Sequence, residues 1–160
     1  MKLEGSCHCG TVNLTVESPH PYPYMLCYCS ICRKTAGTGG YAINLGAKAD
    51  TLSVEGEDTV RTFHAILHDE GDKESPGERA FCSKCGTALW AFDERWRDLI
   101  HPHASAIDTD LPTPPERTHI MLASKASWVE PDIREEDKAF DVYPDESIAD
   151  WHRRLGLEQS

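Results

Sequence analysis

Seven cysteines stand in three groups: Cys7 and Cys9 within GSCHCG at residues 5–10, Cys27, Cys29 and Cys32 within a C-x-C-x-x-C run, and Cys82 and Cys85 just ahead of Gly86. Sulfurs grouped this way bind soft metal ions. Side chains two apart in an extended backbone point to the same face, so Cys7 with Cys9, and Cys27 with Cys29, can each present two sulfurs to one ion. Cys82 and Cys85 have knuckle spacing, in which a tight turn brings both sulfurs to one metal, and Gly86 permits the positive φ such a turn often needs. Thiolates in this number favour Zn²⁺. A disulfide framework fits poorly, because seven is odd and no apolar export signal is visible at the N-terminus.

Seven ligands do not fill two closed tetrahedral sites. Four and three is the natural partition: four thiolates close a structural site, whereas three leave a position for water or substrate, as catalytic zinc requires. Spacing alone leaves open which four belong together. Cys29 and Cys32 with Cys82 and Cys85 would make a ribbon-like pair of knuckles; Cys7 and Cys9 with Cys82 and Cys85 would leave Cys27, Cys29 and Cys32 as a compact cluster. The histidines carry less signal. His8 and His119 read as surface or hydrogen-bonded core residues, and His64 and His68 lie i, i+4 in a strand, where that spacing does not converge. Trp90, Trp96 and Trp128 read as core or strand packing.

The elements that must position these sulfurs read mostly as strands and turns. Residues 11–17 alternate polar and apolar, as a half-buried strand does. Residues 18–23 carry Pro19, Pro21 and Pro23 and read as a loop. Further strands are expected at 24–28, 41–45, 51–55, 59–67, 79–82, 87–92, 99–103 and 119–123, with a short helical piece at 30–36. Residues 69–78 are polar and read as an exposed hairpin loop that borders the reactive site. Ile148, Trp151, His152 and Leu155 recur at i, i+3, i+4 and i+7, which predicts a short amphipathic helix. The class is mainly β, with residues 1–135 as a zinc-binding domain and 136–160 as an extension whose helix packs on it.

At 160 residues the chain suits one domain, burying roughly two-thirds of its unfolded surface. No apolar run approaches the ~20 residues of a membrane span, and the expected location is the cytoplasm. A net charge of −11, more negative still with thiolates on two Zn²⁺, repels phosphate backbones and anionic lipids, which argues against nucleic-acid and membrane partners. An anionic ligand would need a local basic pocket, for which Arg33, Lys34 and Arg79 are candidates.

The three motifs in this order, with the flanks GSCHCG at 5–10, CYCSICRKTAG at 27–37 and RAFCSKCGTALW at 79–90, resemble the glutathione-dependent formaldehyde-activating (Gfa, or CENP-V/GFA) family. The similarity continues through Asp108 and the proline-rich turn to Thr118-His119-Ile120 and Trp128, spanning residues 3 to 130. It implies an Mss4-like, complex antiparallel β fold stapled by zinc. It also implies a partition, with Cys7, Cys9, Cys82 and Cys85 on a structural zinc and Cys27, Cys29 and Cys32 on a catalytic one. The activity implied is that of a carbon–sulfur lyase that adds glutathione, the co-substrate, to formaldehyde, giving S-hydroxymethylglutathione. Zinc lowers the pKa of a bound thiol, and three thiolate ligands make a soft, weakly acidic centre suited to delivering that thiol. The family often has histidine where this chain has Tyr28, whose side chain should face away from the metal and alter only an outlying hydrogen bond.

Two further readings compete with a lyase acting on small thiol and aldehyde substrates. One is a non-catalytic zinc β module for protein interaction; the other is redox or zinc sensing through the three-sulfur set. The C-x-C-x-x-C cluster has no role in a one-zinc module, and the acidic composition lacks the basic extension a chromatin or microtubule partner would need, so the enzyme reading leads.

Overall fold

Apolar residues alternate with polar ones through Asn13-Leu14-Thr15-Val16-Glu17, and Leu14 and Val16 are buried while Asn13 and Glu17 are exposed. This period of two recurs across the chain. The computed structural model describes residues 1–158 and contains, among them, eleven strands and two α-helices. In chain order these are β1 (Lys2–Ser6), β2 (Asn13–Glu17), β3 (His20–Cys27), α1 (Ser30–Ala36), β4 (Ala42–Lys48), β5 (Ser53–Glu55), β6 (Val60–Leu67), β7 (Lys73–Cys82), β8 (Ala88–Asp93), β9 (Leu99–Pro102), β10 (Thr118–Ile120), β11 (Lys138–Ala139) and α2 (Ile148–Arg154). The protein is mainly β, as its short alternating segments require.

A small sheet has the order β1-β2-β5 and a large one β11-β10-β3-β4-β9-β8-β7-β6. All pairings are antiparallel except those of β10, which runs parallel to both β3 and β11. The main core lies between the sheets, where Leu3, Val12, Leu14 and Val16 meet Leu45, Leu89 and Ile100, with Cys7 and Cys82 at its edge. Cys27 and Cys32 belong to a separate small cluster with Ala42 and Ile120.

Several sequence expectations change. Residues 20–23 join β3 rather than a loop; Pro21 and Pro23 are accommodated because the register with β4 shifts between His20 and Met25, so neither proline must donate to the ladder there. Residues 73–78 belong to β7, and the turn shrinks to residues 68–72, with Gly71 and Asp72 at positive φ. Polar composition suggested a loop because this ribbon is exposed, and Pro76 falls where the β6–β7 register is again irregular. Trp96 and Trp128 are 63% and 61% exposed, so neither packs in the core.

Helix α2 forms where the apolar spacing placed it. Ser147 caps it by accepting from the Asp150 backbone N–H. Trp151 is fully buried, its ring 4.8 Å from that of Tyr24, and its Nε1 donates to Glu116 Oε1 at 3.0 Å. His152 is buried beside it and donates through Nδ1 to the Ile148 carbonyl at 2.7 Å.

Two outcomes follow for the stability of this region. Trp151→Ala should lower unfolding free energy by about 3–5 kcal/mol in urea titration, through the cavity it leaves. Burial pushes the His152 pKa down to about 4 from 6.5, and its stacked neighbour His20 is lowered too, also by burial. The unfolded chain therefore binds protons at these residues between about pH 6.5 and 4 that the folded chain refuses, so this contribution to stability is present above pH 6.5 and is lost as pH falls. Denaturation at pH 7 and pH 5 should show a smaller loss for His152→Phe than for the wild type.

Candidate metal centres

Two turns of matching shape build the first sulfur cluster. After β1, Cys7 N–H donates to the Val12 carbonyl and Gly10 N–H to the Cys7 carbonyl; after β7, Cys82 N–H donates to the Thr87 carbonyl and Gly86 N–H to the Cys82 carbonyl. Gly10 and Gly86 both sit at φ 78°, in the left-handed region that disfavours side chains. Cys7 and Cys9 therefore converge through a turn, not through the extended backbone their spacing suggested. The sulfurs of Cys7, Cys9, Cys82 and Cys85 all lie within 4.8 Å of one another, with Cys7–Cys9 at 3.5 Å and Cys9–Cys82 at 3.9 Å. Four sulfurs placed tetrahedrally ~2.3 Å from zinc stand about 3.8 Å apart, so this set can hold one ion in a closed site.

The surroundings favour thiolates. Thr11 Oγ1 lies 3.2 Å from Cys9 Sγ and Thr87 Oγ1 3.2 Å from Cys85 Sγ. The Thr87 hydroxyl, then backbone N–H groups, bring Cys85 down to about 5, and Thr11 lowers Cys9 in the same way. Metal binding needs the deprotonated form.

The second cluster joins a strand end to a helix start. Cys27 closes β3, paired with Ile120 of β10 and Ala42 of β4. Cys29 is the N-cap of α1, extended at φ −64° and ψ 156°, with Sγ accepting from Cys32 N–H at 3.3 Å. These three sulfurs also lie within 4.8 Å of one another, a set that can hold a metal ion and leaves a fourth tetrahedral position free. Cys32 Sγ receives Arg79 Nη2 at 3.6 Å and Asn44 Nδ2 at 3.8 Å. Hydrogen bonds from Cys27 and Cys29, aided by Arg79, pull the Cys32 thiol far below its ordinary range, while the same sharing and its burial push Cys27 up.

Tyr28 faces the other way, as expected. It is buried, and its hydroxyl is hydrogen-bonded to His119 Nδ1 at 2.8 Å, while His119 Nε2 donates to Asp137 Oδ2 at 3.1 Å. Asp137 also receives Arg117 and Arg134. Against the burial of Asp137, Arg134 foremost holds its carboxyl well below the usual carboxylate range. An ionised Asp137 only accepts, so His119 Nε2 carries a proton, and the linked side chains brace the backbone between Cys27 and Cys29.

Between α1 and the β6–β7 ribbon lie two hollows of about 190 and 270 Å³ that share Thr35 and Phe63 as walls. Arg79 and His103 border the first; Lys34, Ile66 and His68 border the second. Arg79 also donates to Thr35 Oγ1 at 3.4 Å. Burial pushes His103 down to about 4, so its ring is neutral near pH 7. Of the histidines weighed from sequence, His8 is exposed, His64 and His68 bond to Ser75 and Asp72, and His119 is hydrogen-bonded in the core. Sequence reading missed the Thr11/Thr87 pair, which a matching C-G-T after each second cysteine signals, and Asn44 and His103, which no local pattern marks.

A mainly β chain that gathers seven cysteines into a four-thiol and a three-thiol set is a candidate metalloprotein with one closed and one open site. The family model for glutathione-dependent formaldehyde-activating enzyme matches residues 2–124. A Halomonas elongata protein provisionally named a glutathione-dependent formaldehyde-activating enzyme is 62% identical over 159 residues, covering 99% of each chain. The crystal structure of a Rhodobacter sphaeroides protein superposes with a TM-score of 0.53 at 24% identity, over 70% of this chain and 92% of that one, and so shares the fold. The chain belongs to the glutathione-dependent formaldehyde-activating enzyme family. No helix among the described residues is long and apolar enough to cross a membrane.

Metal analysis separates the two clusters. Purified protein should carry two zinc equivalents. Cys29→Ser should keep its cooperative unfolding and lose one equivalent, whereas Cys82→Ser, which opens the cluster at the edge of the main core, should lose cooperative folding. A soluble, cooperatively folded Cys82→Ser protein would contradict this division.

Proposed function

We propose that the protein is a zinc-dependent carbon–sulfur lyase that adds glutathione to formaldehyde, forming or cleaving S-hydroxymethylglutathione. In this reading Cys7, Cys9, Cys82 and Cys85 hold a structural zinc and Cys27, Cys29 and Cys32 hold a catalytic one. A zinc ion at the three-thiol set would supply a lowered pKa for a fourth thiol, keeping it ionised near neutral pH. The observation that carries the reading is the open three-thiol set lying one side chain, Arg79, away from the first of two adjoining hollows.

The chain's own groups explain how an anionic thiol would be held. Glutathione carries two carboxylates, and the protein's net charge of −11 repels it at long range. Arg79 and Lys34 supply positive charge on the walls of the adjoining hollows. Phe63, exposed on β6 and shared by both hollows, offers an apolar surface for the peptide stem. Thr35 and Cys32 receive the Arg79 guanidinium and so hold it in place.

Exchange spectroscopy on glutathione with formaldehyde tests the reaction: zinc-loaded protein should speed interconversion, and an unchanged rate would end this reading. Lys34→Glu should raise KM for glutathione about tenfold, equivalent to ~1.4 kcal/mol, with little effect on an uncharged thiol such as 2-mercaptoethanol. An equal loss for both thiols would remove Lys34 from substrate recognition.

A further inference from the structure

His103 follows β9, is 2% exposed, and places Nδ1 2.9 Å from Asn44 Oδ1. The two residues are also bridged through their backbones, which sets the side chains next to each other. On its other side, Asn44 turns Nδ2 to Cys32 Sγ at 3.8 Å. The amide thus presents its NH₂ to Cys32 and its oxygen to His103. An amide oxygen only accepts. The proton on His103 is therefore on Nδ1, and Nε2 carries the lone pair.

That ring borders the hollow it shares with Arg79, Thr35 and Phe63. No other histidine among the described residues combines this position with a fixed tautomer. His119 has both nitrogens engaged by Tyr28 and Asp137, His101 donates to the Leu45 carbonyl beside a different cavity, and His68 is a surface residue paired with Asp72.

We propose that His103 is the proton carrier of the thiol–aldehyde reaction, an assignment that rests on the lyase reading above. When the thiol ionises at the three-thiol set, its S–H bond breaks and the proton moves to His103 Nε2; the sulfur's electron pair then forms the S–C bond to the aldehyde carbon. The carbonyl π pair passes to oxygen, and the imidazolium returns the proton to that oxygen. The product is the S-hydroxymethyl adduct, His103 is neutral again, and nothing is oxidised or reduced. Cleavage runs the same steps backwards. Asn44 acts as a positioning residue, its oxygen fixing the tautomer of His103 while its NH₂ lies against Cys32.

The tautomer can be read without any variant: long-range ¹H–¹⁵N correlation spectra of zinc-loaded protein should show His103 protonated on Nδ1 alone, and protonation on Nε2 overturns the assignment. His103→Gln, with zinc content and circular dichroism as in the wild type, should lower kcat about 100-fold, leave KM for glutathione within twofold, and be partly restored by added imidazole. His103→Asn serves as the second variant if the glutamine does not fold. A folded, metal-replete variant with kcat within threefold of the wild type overturns the role of His103 while leaving the lyase reading intact. Wild-type protein that accelerates no thiol–aldehyde addition overturns both.

Discussion

The meeting of four sulfurs from two distant turns is the constraint on which the rest of this molecule depends. Cys7 and Cys9 leave the small sheet and Cys82 and Cys85 leave the large one, so the four-thiol set ties the two sheets at one corner. Joining positions more than seventy residues apart restricts the unfolded chain strongly. The reward is also local, because Cys7 and Cys82 belong to the apolar core between the sheets. Apolar packing and sulfur clustering thus meet at the same residues.

The three-thiol set is supported differently. Its sulfurs come from the end of β3 and the start of α1, and short β10 runs parallel to β3 to hold Cys27 in register. Behind it, the Tyr28–His119–Asp137 chain with Arg117 and Arg134 satisfies a buried carboxylate on several sides. A buried charge with that many partners tolerates few alternative arrangements. The backbone around Cys27 and Cys29 is therefore held from the side opposite the sulfurs, leaving the sulfur side free for chemistry.

The ligand candidates were legible because metal binding needs rare residues at short spacings, and those spacings survive in one dimension. What the spacing left open, which four of the seven belong together, required the family likeness or the folded chain. The strand pattern was readable wherever one face is buried, as in residues 13–17. It failed for residues 73–78, because a ribbon exposed on both faces has no alternation to reveal it. Trp96 and Trp128 misled for the converse reason: large apolar residues usually pack inside, yet these two stand on the surface. Asn44 and His103 lie 59 residues apart and meet only through the pairing of neighbouring segments. Nothing in either local sequence announces the other.

Strand β7 carries two different duties within four residues. Cys82 points to the four-thiol corner, while Arg79 reaches Cys32 in the other cluster. A strand advances about 3.3 Å per residue, so the two side chains leave the backbone about 10 Å apart along a nearly inextensible rod. The position of one sulfur cluster is thereby gauged against that of the other. The placement of the Arg79 guanidinium is thus measured with a ruler whose fixed end is the four-thiol corner.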